Sequence, residues 1–212
     1  MKPSNRLVLF DFDGVVVDSV SSVYLTVIDI LEEAGVLAGN LPDFQTFLQT
    51  VSLPPDGFYH RYGINWSAEL STQFWDIMPL YEALDGEYLG MRPMVAELRR
   101  RGFRTAIVSG GQSVYVNRRL DQLCLRGLFD AVYTGAADKT EVLNLVCRRL
   151  TATPERTHFI GDFQSDMRDG CAAGVIPIGF TGGHDFMIPV LTAAGAQVCV
   201  DEPEELLAII SD

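Results

Sequence analysis

Short apolar stretches rich in Val, Ile and Phe recur along the chain, each followed by a small or acidic residue and then by a segment of helical spacing. This alternation predicts an α/β fold in which a parallel sheet carries helices on both faces. The predicted strands are residues 7–12, 103–108, 131–133, 158–160, 175–180 and 197–200. The predicted crossover helices are residues 113–125, 139–150, 165–173 and 203–210.

The stretch between the first two strands has a different pattern. Val20, Val23, Val27 and Leu31 recur at helical spacing, and further helical segments follow, interrupted by prolines. The pattern predicts no strand between residues 15 and 89. Because long structureless loops are rare in compact domains, we expect a small all-α domain over residues 16–89, inserted into an α/β core of residues 1–15 and 90–212.

Composition narrows the class of protein. The 212 residues are 48% hydrophobic, and 16 basic residues face 28 acidic ones, for a formal charge of −12. This is the wrong sign for binding a phosphate backbone or an anionic membrane surface. The four cysteines are too far apart for metal-ligand spacing, and no apolar run reaches the length of a membrane span. We expect a cytoplasmic protein, monomeric or homodimeric, with no nucleic-acid and no membrane partner.

Acidic residues follow two of the predicted strands. Asp11 and Asp13, with Gly14 after them, end the first strand, and Asp162 and Asp166 follow the fourth. Alone, the first pair is also typical of a turn, and the second of a helix N-terminus. Together at one sheet edge they would repel, by roughly 4 kcal/mol for two carboxylates 4 Å apart. All-oxygen ligation favours Mg²⁺ over zinc or calcium as the neutralising cation.

Two further strand ends offer groups that bind anions. Ser109 is followed by Gly110 and Gly111, which supply a hydroxyl and closely approaching N–H groups, although such a run is also a common turn. Lys139 lies at the start of a predicted helix, where the helix dipole opposes a cation unless an anion lies nearby. The other interpretation is an exposed lysine neutralised by Asp138 or Glu141.

The combination of carboxylates, cation site, hydroxyl and lysine fits phosphoryl transfer. One carboxylate can attack phosphorus, and Asp13 is the candidate for protonating the leaving oxygen and then activating water. The catalytic candidates are Asp11, Asp13, Ser109 and Lys139; the phosphate-binding candidates are Gly14, Ser109, Gly110 and Lys139.

With these residues in place, the chain resembles the haloacid dehalogenase superfamily of phosphohydrolases. Residues 7–19, LVLFDFDGVVVDS, are similar to its first motif, and Ser109 and Lys139 match the second and third. Residues 161–166, GDFQSD, match the GDxxxD form of the fourth. The motifs are 98, 30 and 23 residues apart, so the long interval falls where the family inserts its helical cap of the first class.

The resemblance implies a Rossmann-like core, a nucleophilic Asp11 and an acid/base Asp13. It also implies magnesium bound by the Asp11 carboxylate, the Asp13 backbone carbonyl and Asp162, with Asp166 in support. The second aspartate favours phosphate esters over halides. The cap loop at residues 50–56 is expected to approach the leaving group, although its prolines are equally typical of helix breakers.

The expected function is that of a magnesium-dependent phosphatase for a small phosphorylated metabolite, of the phosphoglycolate phosphatase or β-phosphoglucomutase type. Val15 stands where many members of the family have Thr, and Lys139 is followed by Thr140-Glu141 where phosphoglycolate phosphatase-like members commonly have Lys-Pro-x-Pro. Phosphoglycolate itself is therefore not assigned as the substrate. A phosphomutase, a receiver-like signalling module and a non-catalytic phosphate-binding protein are the alternatives that stay open.

Overall fold

A computed structural model describes residues 6–210, except 52, 54 and 137. Its strands are β1 (Leu7–Phe10), β2 (Val17–Asp18), β3 (Gly86–Glu87), β4 (Arg104–Val108), β5 (Ala131–Tyr133), β6 (Thr157–Gly161), β7 (Ile176–Phe180) and β8 (Val198–Val200). Its α-helices are α1 (Val20–Glu33), α2 (Phe44–Thr50), α3 (Asp56–His60), α4 (Ala68–Ile77), α5 (Met91–Arg100), α6 (Ser113–Gln122), α7 (Lys139–Arg149), α8 (Gln164–Ala173), α9 (Ile188–Ala194) and α10 (Leu206–Ile209).

Six of the strands form one parallel sheet in the order β5–β4–β1–β6–β7–β8. Strand β1 is apolar at every position because both of its faces are covered. Leu7 and Leu9 pack in the cluster that contains Leu143 of α7, whereas Val8 and Phe10 pack on the opposite side with residues of α5 and α6. The structure therefore confirms the α/β class and the Rossmann-like parallel sheet with helices on both faces.

The helical segment, residues 16–89, carries α1 to α4. Its apolar interior includes Val27 and Leu31 of α1, Phe47 of α2, and Phe58 and Tyr59 of α3. The periodicity of α1 explains this packing, because residues four apart lie on one helix face. The division of the chain into two domains at residues 15 and 90 stays a prediction.

The expectation of no strand between residues 15 and 89 was wrong. Strands β2 and β3 pair antiparallel where the chain enters and leaves the helical segment, with Val17 opposite Glu87 and Asp18 opposite Gly86. Two-residue strands contain no alternation to detect, and 67 residues lie between these two. Their pairing follows from the tertiary fold, which brings the two ends of the helical segment together.

All six strands predicted for the sheet are present, with ends that differ by one or two residues. Helix α9 was not predicted, because Pro189 falls within it. The proline lies in its first turn, where the missing N–H group has no helical partner to lose. Within the described residues, no helix is long and apolar enough to cross a membrane.

Strand β1 lies between β4 and β6: the chain runs from β1 to β4 and β5 on one side, and then returns past β1 to β6, β7 and β8 on the other. A crevice forms at the carboxyl ends of strands at such a point, and open α/β sheets bind ligands there. The loops that follow these three strands carry Asp11, Ser109 and Asp162.

Candidate active site

The loop after β1 turns sharply and fixes the orientation of Asp11. The backbone N–H of Asp11 still donates to the carbonyl of Ile160 at 2.9 Å, which continues the sheet pairing, and the N–H of Phe12 donates to Asp11 Oδ1 at 2.7 Å. Gly14 has φ of +72°, and a β-carbon there would lie 2.1 Å from Asp162 Oδ2. Glycine is therefore required, both by the turn and by the approach of Asp162.

Lys139 lies at the centre of the site. Its Nζ donates to Asp11 Oδ2 and to Asp166 Oδ1, each at 2.6 Å, and the side chain is 2% exposed. The first turn of α7 is held in place by a hydrogen bond from the Lys139 N–H to Asp169 Oδ2 at 3.1 Å. The sequence-based alternative of an exposed lysine neutralised by Asp138 or Glu141 is wrong; Asp138 instead caps the helix by accepting from the Thr140 N–H at 2.9 Å.

Asp162 and Asp166 come from the loop after β6 and the first turn of α8. The N–H of Phe163 donates to Asp166 Oδ2 at 3.1 Å, which leaves the other oxygen of Asp166 for Lys139. Asp162 Oδ1 is buried and accepts no hydrogen bond from any described residue. Burial, followed by the charges of Asp166 and Asp11, raises the pKa of Asp162 well above its usual range.

The electrostatics of the cluster are dominated by burial and mutual charge. Burial raises the pKa of Asp11, and the charge of Lys139 only partly offsets this effect. For Lys139, burial lowers the pKa, but the charges of Asp11 and Asp166 outweigh it, so the net shift is upward. The lysine is thus held as a cation among carboxylates, which a low-dielectric interior makes a strong interaction.

The cluster also has the composition of a divalent cation site. Asp11, Asp162 and Asp166 each offer an oxygen, and these three oxygens lie within 4.8 Å of one another. One ammonium cannot neutralise three carboxylates, and Asp162 Oδ1 has no hydrogen-bond partner among the described residues, which leaves it available to a cation. Hard oxygen donors of this kind suit Mg²⁺. The residues present therefore fit the predicted metal.

The Asp13 carboxylate is not among the three clustered carboxylates. Its Oδ1 accepts hydrogen bonds from Ser19 Oγ at 2.8 Å and from the Tyr115 hydroxyl at 2.7 Å. Burial raises the pKa of Asp13, while the bonds from Tyr115 and Ser19 lower it. The side chain is separate from the three clustered carboxylates, so any contribution of this residue to a metal would come from its backbone carbonyl.

The loop after β4 brings a hydroxyl close to Asp13. Ser109 is buried, and its Oγ accepts from the N–H of Gly111 at 2.9 Å. A β-carbon on Gly111 would lie 3.1 Å from Ser109 Oγ and 3.5 Å from Asp13 Oδ2, so both oxygens face the same small space. The Ser109 hydroxyl hydrogen stays available for an anion in that space.

The structure brings the sequence-predicted residues together at one edge of the sheet, as the topology required. Three further residues that contact them had no assigned role in the sequence: Ser19, Tyr115 and Asp169. Asp169 follows Asp166 by three residues, a spacing that places both on one face of α8 and could have indicated it. No local signal identifies Tyr115, because its bond to Asp13 spans 102 residues.

The model of the family described as haloacid dehalogenase-like hydrolase matches residues 8–180. The chain therefore belongs to the haloacid dehalogenase-like hydrolases, which confirms the resemblance stated from the motifs. The matched region contains the whole acidic cluster, Lys139 and the helical segment.

Individual relatives agree with this membership. The chain is 26% identical to a phosphoglycolate phosphatase of Pseudomonas putida, over 98% of this chain and 80% of the relative. Its fold is similar to that of a predicted phosphoglycolate phosphatase from Haemophilus somnus, with a TM-score of 0.75 at 18% identity, covering 98% and 99% of the two chains. A β-phosphoglucomutase-type structure from Thermotoga maritima gives 0.69 at 22% identity, covering 97% and 98%.

Proposed function

We propose that this chain is a magnesium-dependent phosphatase that hydrolyses a small phosphomonoester through an aspartyl-phosphate on Asp11. The observation that carries the proposal is the buried cluster in which Lys139 bridges Asp11 and Asp166 while Asp162 keeps a free oxygen. The phosphatase names of the relatives support the same reaction.

In the first step, a carboxylate oxygen of Asp11 attacks phosphorus, and the bond between phosphorus and the ester oxygen breaks. Asp13 gives its proton to the departing alkoxide, which leaves as the alcohol. In the second step, Asp13 takes a proton from water, whose oxygen attacks phosphorus. The acyl phosphate bond breaks, inorganic phosphate leaves, and both carboxyl groups return to their starting state.

The other residues bind the transferring phosphoryl group. In this proposal the Ser109 hydroxyl and the Gly110 N–H donate to its oxygens, and the Lys139 ammonium offsets its charge. Gly14 lets the loop after β1 pass close to Asp162. Magnesium would be held by the Asp11 carboxylate, the Asp13 carbonyl and Asp162, with Asp166 in support, and it would neutralise charge on the phosphoryl oxygens.

The test is release of inorganic phosphate from a panel of phosphomonoesters, with acetyl phosphate as a minimal donor. We expect turnover with magnesium, none in excess chelator, and recovery when magnesium is restored. Undiminished turnover in excess chelator would remove the metal from the proposal. Isomerisation of a sugar phosphate without phosphate release would instead establish a phosphomutase.

A further inference from the structure

A cavity of about 220 Å³ lies between the helical segment and the loops of the candidate active site. Aromatic side chains form much of its wall, including Trp66, Phe74 and Trp75. On the sheet side it is bounded by Gly110 and Phe163, the residues that directly follow Ser109 and Asp162. The cavity therefore begins next to the proposed phosphoryl site and extends into the helical segment.

The helical segment is held against these loops by specific contacts. The side-chain amide of Gln164 donates to the carbonyl of Gln49 at 2.8 Å, and the N–H of Leu53 donates to Ser165 Oγ at 3.3 Å. Leu53 Cδ1 would lie 2.9 Å from a β-carbon on Gly110, so the two loops touch. The predicted specificity loop at residues 50–56 is thus adjacent to the site, although Ser52 and Pro54 lie outside the described residues.

The charges in and around the cavity limit which substrates it can accept. Among the described residues, no side chain that lines it carries a charge. The helical segment contains eleven Asp and Glu residues and a single basic residue of the Lys/Arg type, Arg61, which does not line the cavity. A substrate with a second anionic group would therefore be desolvated without a cation to pair with, in a field that repels it.

Tyr59 contributes ring atoms to the cavity wall, and its ring stacks on that of Trp66 with centroids 5.0 Å apart. Its hydroxyl is buried away from the cavity space and bonds to no described residue. This residue therefore presents apolar surface to a molecule in the cavity.

We propose that the substrate is the phosphomonoester of an uncharged, largely apolar alcohol, aromatic or branched, that fills this cavity. This inference rests on the phosphatase function proposed above and narrows it. It separates the chain from its phosphoglycolate phosphatase relatives, since glycolate carries a carboxylate.

The experiment compares kcat/KM for phosphomonoesters of primary alcohols, so that leaving-group basicity changes little. The panel contains ethyl, butyl and 2-phenylethyl phosphate, phosphoglycolate and phosphocholine, with acetyl phosphate to report phosphoryl transfer alone. We expect a rise of roughly fourfold for each added methylene, and 2-phenylethyl phosphate about tenfold or more above phosphoglycolate. A preference for phosphoglycolate or phosphocholine would overturn the inference.

The panel separates the two proposals. If acetyl phosphate is not hydrolysed with magnesium present, the phosphatase function fails. If acetyl phosphate is hydrolysed but the ester series shows no gain with apolar size, only the substrate class fails.

Ser71→Lys tests the wall of the cavity directly, with Thr72→Lys as its control. Ser71→Lys adds a cation to the cavity and should shift the ratio of kcat/KM for 2-phenylethyl phosphate to that for phosphoglycolate toward phosphoglycolate by about tenfold or more. Thr72→Lys, on the exposed side of α4, should leave that ratio as it is. An unchanged ratio in Ser71→Lys would contradict the placement of the alcohol in this cavity.

Discussion

The sheet edge and the helical segment differ sharply in how they distribute charge. At the sheet edge, four aspartates and a lysine are gathered into a small space, and most of their oxygens have assigned partners. The helical segment has eleven acidic residues and one arginine, against 17 acidic and 15 basic residues in the rest of the chain, yet its cavity is lined by uncharged side chains. Most of its acids, such as Glu32, Glu69 and Asp76, lie on the surface, although the Asp85 side chain is buried.

This difference indicates that the sheet edge and the cavity have separate roles. The charged edge is suited to a reaction at phosphorus that is the same for every ester, and the apolar cavity is suited to ranking the esters by their alcohols. Substitutions at the edge should lower turnover of all substrates together. Substitutions in the cavity should change the order of substrates and leave phosphoryl transfer from small donors possible.

Asp11→Asn should have the largest effect, a loss of about 10⁴-fold or more in kcat for every substrate, because an amide is not a nucleophile toward phosphorus. Phosphate release measured on acetyl and alkyl phosphates checks this. Asp76→Asn, an exposed position on α4, is the matched control and should keep native rates. Appreciable turnover by the Asp11 variant, equal across substrates, would exclude Asp11 as the nucleophile.

Asp13→Asn should lower kcat by about 10²- to 10⁴-fold with alkyl phosphates, since it removes the group that protonates the leaving oxygen and activates water. The protein should still accept phosphate from an activated donor such as p-nitrophenyl phosphate, because that leaving group needs no proton. A burst of p-nitrophenol followed by slow turnover is the expected signature. Native rates with alkyl phosphates would contradict the role of Asp13.

Lys139→Met tests the charge pairing through stability. The variant keeps the length of the side chain but leaves Asp11 and Asp166 buried without their cation, so the free energy of unfolding should fall by about 3–5 kcal/mol in chelator. Urea unfolding of the variant, with Arg148→Met on the exposed side of the same helix as control, measures this. Magnesium should restore part of the loss, because it binds the native carboxylates. Equal stabilities of the Lys139 and Arg148 variants would argue that the pairing contributes nothing.

The sequence predicts the sheet edge better than it predicts the interior of the helical segment. The central strands were predictable because each is a continuous apolar run, and parallel strands place their carboxyl ends at one edge. From the sequence alone, this shared edge predicts that four residues lie close together: Asp11, Ser109, Lys139 and Asp162. The interior of the helical segment was not predictable in this way, because the cavity is lined by residues from three helices and four loops, and their relative placement depends on packing.

The contacts of Asp13 lay outside sequence reasoning for a related reason. Ser19 is part of the first motif, yet nothing in the motif shows that its hydroxyl turns back six residues to the carboxylate. In the sequence, nothing distinguishes Tyr115 from any other aromatic residue near the start of an amphipathic helix. Only the fold shows that its hydroxyl approaches Asp13 while its ring touches Trp75 of the helical segment, with centroids 5.2 Å apart.

Tyr115→Phe examines this point of contact between the two regions and should have the smallest effect. The substitution keeps the ring against Trp75 but removes one of the two hydrogen bonds that orient Asp13, so we treat Tyr115 as a positioning residue. One such bond contributes about 0.5–1.5 kcal/mol, which predicts a loss of about two- to tenfold in kcat for alkyl phosphates. With p-nitrophenyl phosphate, formation of the aspartyl-phosphate should be nearly unchanged, because its leaving group departs without a proton.

The dependence on the leaving group separates positioning from a loss of stability. Tyr24→Phe is the matched control: it removes a hydroxyl that donates to the carbonyl of Pro42 at 3.1 Å and that is neither of the two donors to Asp13. That variant should lose a similar amount of stability and show no dependence on the leaving group. If Tyr115→Phe slowed single-turnover release of p-nitrophenol and of an alkyl alcohol by the same factor, the hydroxyl would be a structural bond only, and Ser19 would have to hold Asp13 alone.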